Sequence, residues 1–155
     1  MLQAHVFLSL VGIVTGCIAL FGMLCGRLMR NWVMLFLVTT ILTSLSGFPL
    51  APFGFDPPRA VGVLSLLLLA AAVAALYAFH LVGIWRWVYV GGAVAALYLN
   101  CFVGVVQAFQ KLPFLQALAP TQSEPPFVIS QAVVLLVFLG LGVICMRRFR
   151  PSLRG

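Results

Sequence analysis

The chain has 155 residues and a formal net charge of +7, yet 64% of its residues are hydrophobic and only 7% are charged. Soluble domains carry roughly 25% charged residues, so this chain has too little polar surface for a water-soluble globular protein. Its basic residues flank hydrophobic segments instead of forming a continuous patch, which argues against nucleic acid as a partner and indicates membrane lipid.

Five hydrophobic segments are long enough, or nearly so, to cross a bilayer, which needs roughly 20 apolar residues. They cover residues 5–25, 32–50, 60–82, 88–109 and 127–146. Arg86, between Trp85 and Trp87, marks an interfacial turn between the third and fourth segments. Backbone polar groups must be satisfied inside lipid, so the sequence predicts a single all-α membrane domain over residues 1–155, a bundle of five transmembrane helices.

Basic residues are distributed unequally between the two ends of this bundle. Seven arginines share one side: Arg27, Arg30, Arg86, Arg147, Arg148, Arg150 and Arg154. Only Arg59 and Lys111 fall on the other side. Because positive residues accumulate on the cytoplasmic side, we expect the N-terminus outside and the C-terminus in the cytoplasm. The small size, the dense helices and the basic tail favour a bacterial cytoplasmic (inner) membrane.

A stripe of small residues follows one face of the first segment. It contains two GxxxG pairs, Gly12–Gly16 and Gly22–Gly26. Glycines at this spacing allow two helix backbones to approach closely. The stripe therefore predicts a packing face, either toward a neighbouring helix of the same chain or toward a second copy in a homodimer.

Intramembrane polar residues gather between the middle of the bilayer and the outer surface. Asn100, Gln107 and Lys111 follow one helical face of the fourth segment, and Gln131 lies near the outer end of the fifth. Such residues usually mark contacts or ligand pathways. We therefore predict a pocket open to the outside, lined by Asn100, Gln107 and Gln131, with Lys111 and Glu124 at its rim.

A structural role is the alternative for each of these polar side chains. Serine and threonine, including Thr39, Thr43 and Ser46 on the second segment, often bond to carbonyls of their own helix. Asparagine and glutamine often bond across helices and simply hold them together.

The outer loop before the fifth segment concentrates polar residues and prolines. Pro113 predicts the start of a short interfacial helix that Pro120 ends. Ser123 is the expected N-cap of the fifth helix, with Glu124 in its first turn. This loop and the loop that contains Asp56 are also candidates for a lid over the pocket.

No cofactor or metal site is predicted from the sequence. His5 and His80 are expected at opposite ends of the bundle, so they cannot share a haem. The four cysteines form no CxxC pair and suit ordinary packing.

Three functional hypotheses remain at this point. The leading one is a non-catalytic membrane protein that binds a lipid-like or small organic ligand from the outer side, or acts as an accessory subunit. The second is an enzyme that acts on a lipid or quinone at the outer interface, with Glu124, Asp56 or His5 as acid or base. The third is a structural partner that assembles with a second copy or another membrane protein through Gly12 and Gly16.

Overall fold

The structure, a computed structural model, describes residues 2–47 and 57–151, and all regular structure in these ranges is helical. The helices are α1 (Leu2–Leu24), α2 (Arg30–Gly47), α3 (Pro57–Val73), α4 (Trp85–Lys111), α5 (Pro113–Leu118) and α6 (Pro125–Arg148). Four stretches in these ranges are long and apolar enough to cross a membrane: Gln3–Leu24, Arg59–Ala78, Trp85–Lys111 and Pro125–Arg148. The predicted all-α membrane architecture is confirmed at this level.

A helix occupies each of the five predicted segments, but one predicted boundary is wrong. Helix α3 continues as a π-helix over Ala74–Ala78 and stops there, four residues before the predicted end at residue 82. His80 and Leu81 have φ angles of 49° and 59°, which belong to the left-handed region and interrupt a right-handed helix. Phe79 stacks on Trp85 across this turn at 3.7 Å between ring centroids.

Helix α4 lies at the centre of the bundle and packs against α1, α3, α5 and α6. It contributes Tyr89, Val90 and Leu97 to the core, and each of these side chains is 1% exposed. Helix α2 packs along α1 and adds Val33 and Phe36 to the same core. Helix α6 contacts α4 and α1, while most of its large apolar side chains are exposed, as expected for a helix that faces lipid.

The glycine stripe of α1 lies against α2 and α4 of the same chain. A Cβ atom at Gly16 would lie 2.6 Å from Cδ1 of Leu97 and 2.8 Å from Cδ2 of Phe36. These distances are too short for any side chain, so Gly16 is what allows the three helices to meet.

The second GxxxG pair lies at the end of α1. A Cβ atom at Gly22 would lie 2.8 Å from Cγ of Met29, in the connection to α2. Gly26 follows the helix with a φ of +71°, a conformation that glycine adopts without the steric cost of a Cβ atom. This pair therefore shapes the turn between α1 and α2.

We expect Gly16→Ile to destabilise the bundle strongly, because overpacking of a tight core costs about 1–3 kcal/mol or more. Gly140→Ile is the matched control, since Gly140 is exposed on α6 and no described atom lies within 4 Å of its Cβ position. Thermal unfolding in detergent, followed by circular dichroism, measures both variants. Equal losses of stability would contradict this account of Gly16.

Candidate functional site

Asn100 is bound into the contact between α4 and α2. Its Nδ2 donates a hydrogen bond to Oγ1 of Thr40 at 3.1 Å, and the two side chains are 8% and 0% exposed. A Cβ atom at Gly12 of α1 would lie 3.1 Å from that hydroxyl oxygen and 3.4 Å from Nδ2. Gly12 thus leaves room for the Asn100–Thr40 hydrogen bond where α1, α2 and α4 meet.

The other hydroxyl groups of α2 bond to their own helix. Thr39 donates to the carbonyl of Leu35 at 2.6 Å, Thr43 donates to Thr39 at 2.8 Å, and Ser46 donates to Thr43 at 3.0 Å. Nδ1 of His5 lies 2.9 Å from Oγ of Ser46 and links α1 to α2 near their ends. These side chains fulfil the structural alternative, in which hydroxyl groups satisfy backbone carbonyls.

Gln107 and Lys111 continue the stripe of Asn100 along α4. This side of α4 is turned toward α1, because a Cβ atom at Gly104 would lie 3.6 Å from Cδ1 of Ile13. Gln107 is half-buried, and Lys111 is exposed in the last turn of α4.

Gln131 lies on the other side of α4. Its Nε2 donates to the carbonyl oxygen of Phe102 at 3.2 Å. Positions 100 and 102 are about 200° apart around a helix. Asn100 and the residue that binds Gln131, Phe102, therefore lie on different sides of α4. The hydrogen bonds of Asn100 and Gln131 therefore lie on different sides of α4, and the single pocket predicted from the sequence stays a prediction.

The amide oxygen of Gln131 is the distinctive feature of this region. Within the described residues, Oε1 is the buried side-chain oxygen or nitrogen atom that has no hydrogen-bond partner. A buried acceptor without a donor costs about 1–3 kcal/mol, and lipid offers no water to replace the donor. The helices thus leave one hydrogen bond of Gln131 unmade.

Aromatic side chains accompany Gln131 along the contact between α4 and α6, which we call the α4–α6 seam. Its members are Tyr98, Phe102 and Phe109 on α4, and Phe127, Gln131 and Phe138 on α6. The rings of Phe109 and Phe127 meet edge to face at 5.4 Å, and Tyr98 lies 5.9 Å from Phe138. Tyr98 also lies 6.2 Å from Phe102 of its own helix. The seam is therefore an aromatic surface with one amide group in its middle.

Gln131 is among the site residues predicted from the sequence, but these aromatic residues are not. Both triplets of the seam have the same spacing, i, i+4 and i+11, and this spacing places each triplet on one helical face. The repeated pattern was visible in the sequence. What could not be read there was that the two faces pack against each other.

Glu124 is engaged by the loop that precedes α6. Its Oε1 accepts hydrogen bonds from the backbone N–H and the hydroxyl of Thr121, at 3.1 and 2.9 Å, and Oε2 accepts one from the N–H of Ser123 at 3.2 Å. Desolvation raises the pKa of this carboxyl, but the hydrogen bonds from Thr121 and Ser123 lower the pKa by more, so it lies below its ordinary value. Glu124 is therefore an ionised loop anchor at neutral pH.

The predicted N-cap at Ser123 is wrong by one residue. Glu124 occupies the N-cap position of α6, and its carbonyl oxygen accepts hydrogen bonds from the N–H groups of Phe127 and Val128. The reason is that Pro125 and Pro126 fill the first two helical positions, where their missing N–H groups are not needed.

The rest of this loop folds back onto the end of α4. The predicted short helix is confirmed as α5, which starts at Pro113 and ends at Leu118, two residues before Pro120. Nε2 of Gln122 donates to the carbonyl oxygen of Val106 at 3.1 Å, and Gln122 has a φ of 58°. The loop thus closes over the end of the α4–α6 seam. Asp56, in the other proposed lid loop, lies outside the described residues.

No group of three or more histidine, cysteine, aspartate or glutamate side chains that could hold a metal is found within residues 2–47 and 57–151. Comparisons of the chain with protein-family models, with characterised proteins and with solved structures find no match. The geometry of this chain is therefore the basis for inferring its function.

We expect Asn100 and Thr40 to be energetically coupled. A double-mutant cycle with Asn100→Ala and Thr40→Val should give a coupling free energy of about 0.6 kcal/mol, the average for hydrogen bonds between membrane helices, and at most about 1.7 kcal/mol. The free energy of unfolding of each variant is measured in mixed micelles that contain an increasing fraction of a denaturing detergent. Strict additivity of the two substitutions would show that this hydrogen bond does not stabilise the bundle.

Proposed function

We propose that the protein crosses the membrane five times, with its N-terminus outside and its C-terminus in the cytoplasm of a bacterial cell. The additional span is α2, whose 18 residues extend about 27 Å at 1.5 Å per residue, close to the hydrocarbon thickness of roughly 30 Å. The arginines at the α1–α2 turn, at the start of α4 and at the end of α6 support this orientation.

Cysteine labelling tests this topology. In a cysteine-free background, we expect a membrane-impermeant maleimide to label Ser123→Cys in intact cells, and Arg150→Cys only after the membrane is opened. Both positions are exposed, so accessibility within the folded chain does not limit the reaction. The opposite pattern would invert the topology, and labelling of both sites from outside would show that α6, which lies between the two sites, does not cross the membrane.

We further propose that the protein is a non-catalytic membrane protein that binds a lipid-like or small organic ligand at the α4–α6 seam. The observation that carries this proposal is the buried, unpartnered Oε1 of Gln131. A ligand that donates a hydroxyl or N–H hydrogen to this oxygen would recover the hydrogen bond that the helices leave unmade. The surrounding rings favour a flat apolar body attached to that donor.

The α4–α6 seam is a better candidate for a ligand site than the side of α4 that carries Asn100, Gln107 and Lys111. The Nδ2 of Asn100 is already bonded to Thr40, and Gly12 covers that hydrogen bond from α1. The seam instead lies beside the lipid-facing surface of α6, where Val128 and Leu135, three residues before and four residues after Gln131, are exposed. A ligand dissolved in lipid would reach Gln131 from this side, and it would have to part α4 and α6 locally because Oε1 is buried.

An acid–base role at the outer interface has less support. The Glu124 carboxylate accepts three hydrogen bonds from its own loop and has a lowered pKa, which is the reverse of what a general acid at neutral pH requires. His5 is held beside Ser46 between α1 and α2.

Native mass spectrometry of the protein released from mild detergent tests the ligand proposal. We expect a reproducible adduct whose occupancy falls roughly 2–10-fold in Gln131→Leu, because one hydrogen bond of about 0.5–1.5 kcal/mol is lost. Gln107→Leu is the matched control, since it removes an amide from the opposite side of α4 and should keep the adduct.

Two results would overturn the proposal. An adduct that survives in Gln131→Leu and disappears in Gln107→Leu would place the ligand on the α1-facing side of α4. If the wild-type protein never carries an adduct, the proposal that it binds a ligand is wrong.

A further inference from the structure

Arginine side chains from three parts of the chain lie at one end of the bundle. Arg27 and Arg30 flank the start of α2, Arg86 is in the first turn of α4, and Arg147, Arg148 and Arg150 surround the end of α6. All of them except the half-buried Arg86 are exposed. We call these six residues the arginine cluster.

Tertiary contacts hold these three segments together. A Cβ atom at Gly26, next to Arg27, would lie 3.3 Å from the carbonyl oxygen of Arg148. Nη1 of Arg86 donates a hydrogen bond of 2.6 Å to the carbonyl oxygen of Phe149, whose side chain is fully buried. The chain therefore carries Arg148 and Arg150 on either side of an anchored residue, close to both of the other segments.

The chain supplies little negative charge to balance this cluster. Its two acidic residues are Asp56 and Glu124. Glu124 precedes α6, and the 24 residues of that helix, about 36 Å, separate Glu124 from Arg148. Asp56 directly precedes the start of α3 in the sequence, whereas Arg86 follows the end of α3. Within the described residues, no member of the cluster forms an ion pair.

The position of the cluster relative to the apolar surface suggests what balances it. Trp87, which is 42% exposed, lies under the guanidinium of Arg86 at 4.7 Å, and tryptophan prefers the headgroup level of a bilayer. Val143 and Ile144 are exposed on α6 just before the arginines begin. An anion that reaches this cluster from the side thus has an apolar surface directly beneath it.

We propose that the arginine cluster binds the phosphate headgroups of anionic phospholipids, with the acyl chains against the exposed side of α6. Guanidinium groups bind phosphate oxygens in a bidentate manner and remain charged at any relevant pH. A phospholipid also supplies acyl chains that would cover the exposed side chains of Val143 and Ile144. A free phosphate ion has no apolar part that could do so. This proposal depends on the protein crossing a membrane and is independent of the ligand at Gln131.

The test uses the full chain in nanodiscs that contain phosphatidylglycerol and phosphatidylcholine, followed by native mass spectrometry of the retained lipids. We expect the wild type to retain phosphatidylglycerol in excess of its share in the bilayer. Arg148→Gln should reduce this enrichment roughly fivefold, the effect of one basic residue near an anionic surface. Arg27→Gln, in a different segment, should act in the same direction, and Arg148→Lys should retain most of the enrichment.

Lys111→Gln is the matched control, because it removes one exposed positive charge from the opposite end of the bundle. An equal loss of enrichment in Lys111→Gln would show that total charge matters and would overturn the proposed site. Wild-type protein that retains the two lipids in their bilayer ratio would overturn it as well. Displacement of the lipid by inorganic phosphate would identify a site for the free ion instead. None of these results affects the adduct at Gln131, so the two proposals can fail separately.

Discussion

The close approach of α1 to α2 and α4 is the constraint on which the rest of the bundle depends. In lipid, apolar side chains gain little by leaving their solvent, so helices associate through tight packing and hydrogen bonds. Gly16 supplies the packing, since any side chain there would collide with Leu97 or Phe36. Gly12 supplies the space in which Asn100 donates its hydrogen bond to Thr40. The glycines and the buried amide are therefore parts of one contact.

This contact divides the polar groups of the membrane region between two roles. On the side of α4 toward α1 and α2, Asn100 and the hydroxyl groups of α2 have partners within the protein, and they stabilise the arrangement of helices. On the side toward α6, Gln131 has a partner for its N–H group but none for its oxygen. Because α4 is central, it separates the two sides.

The two ends of α6 carry opposite charges that suit the helix dipole. Glu124 lies at the N-terminus and Arg147 and Arg148 lie in the last turn, where negative and positive charges are respectively stabilising. The two ends of α6 also differ in how their charges are balanced. The loop around Glu124 satisfies the charge of that carboxylate through hydrogen bonds, whereas the arginine cluster forms no ion pair within the described residues.

The sequence by itself determined the helical membrane class, the approximate positions of five helices, the close-packing glycines and the polar residues to examine. These follow from local properties: the length of apolar runs, helical periodicity, and the spacing of small residues. Only the tertiary structure decided that Asn100 and Gln131 lie on different sides of α4, and that the aromatic faces of α4 and α6 meet. Which faces come together depends on how all the helices pack at once, and the side that a helix turns toward each neighbour is not encoded in its own periodicity. The π-helix that continues α3 ends at Ala78, next to the stacking of Phe79 on Trp85, and this contact across the turn also belongs to the tertiary structure.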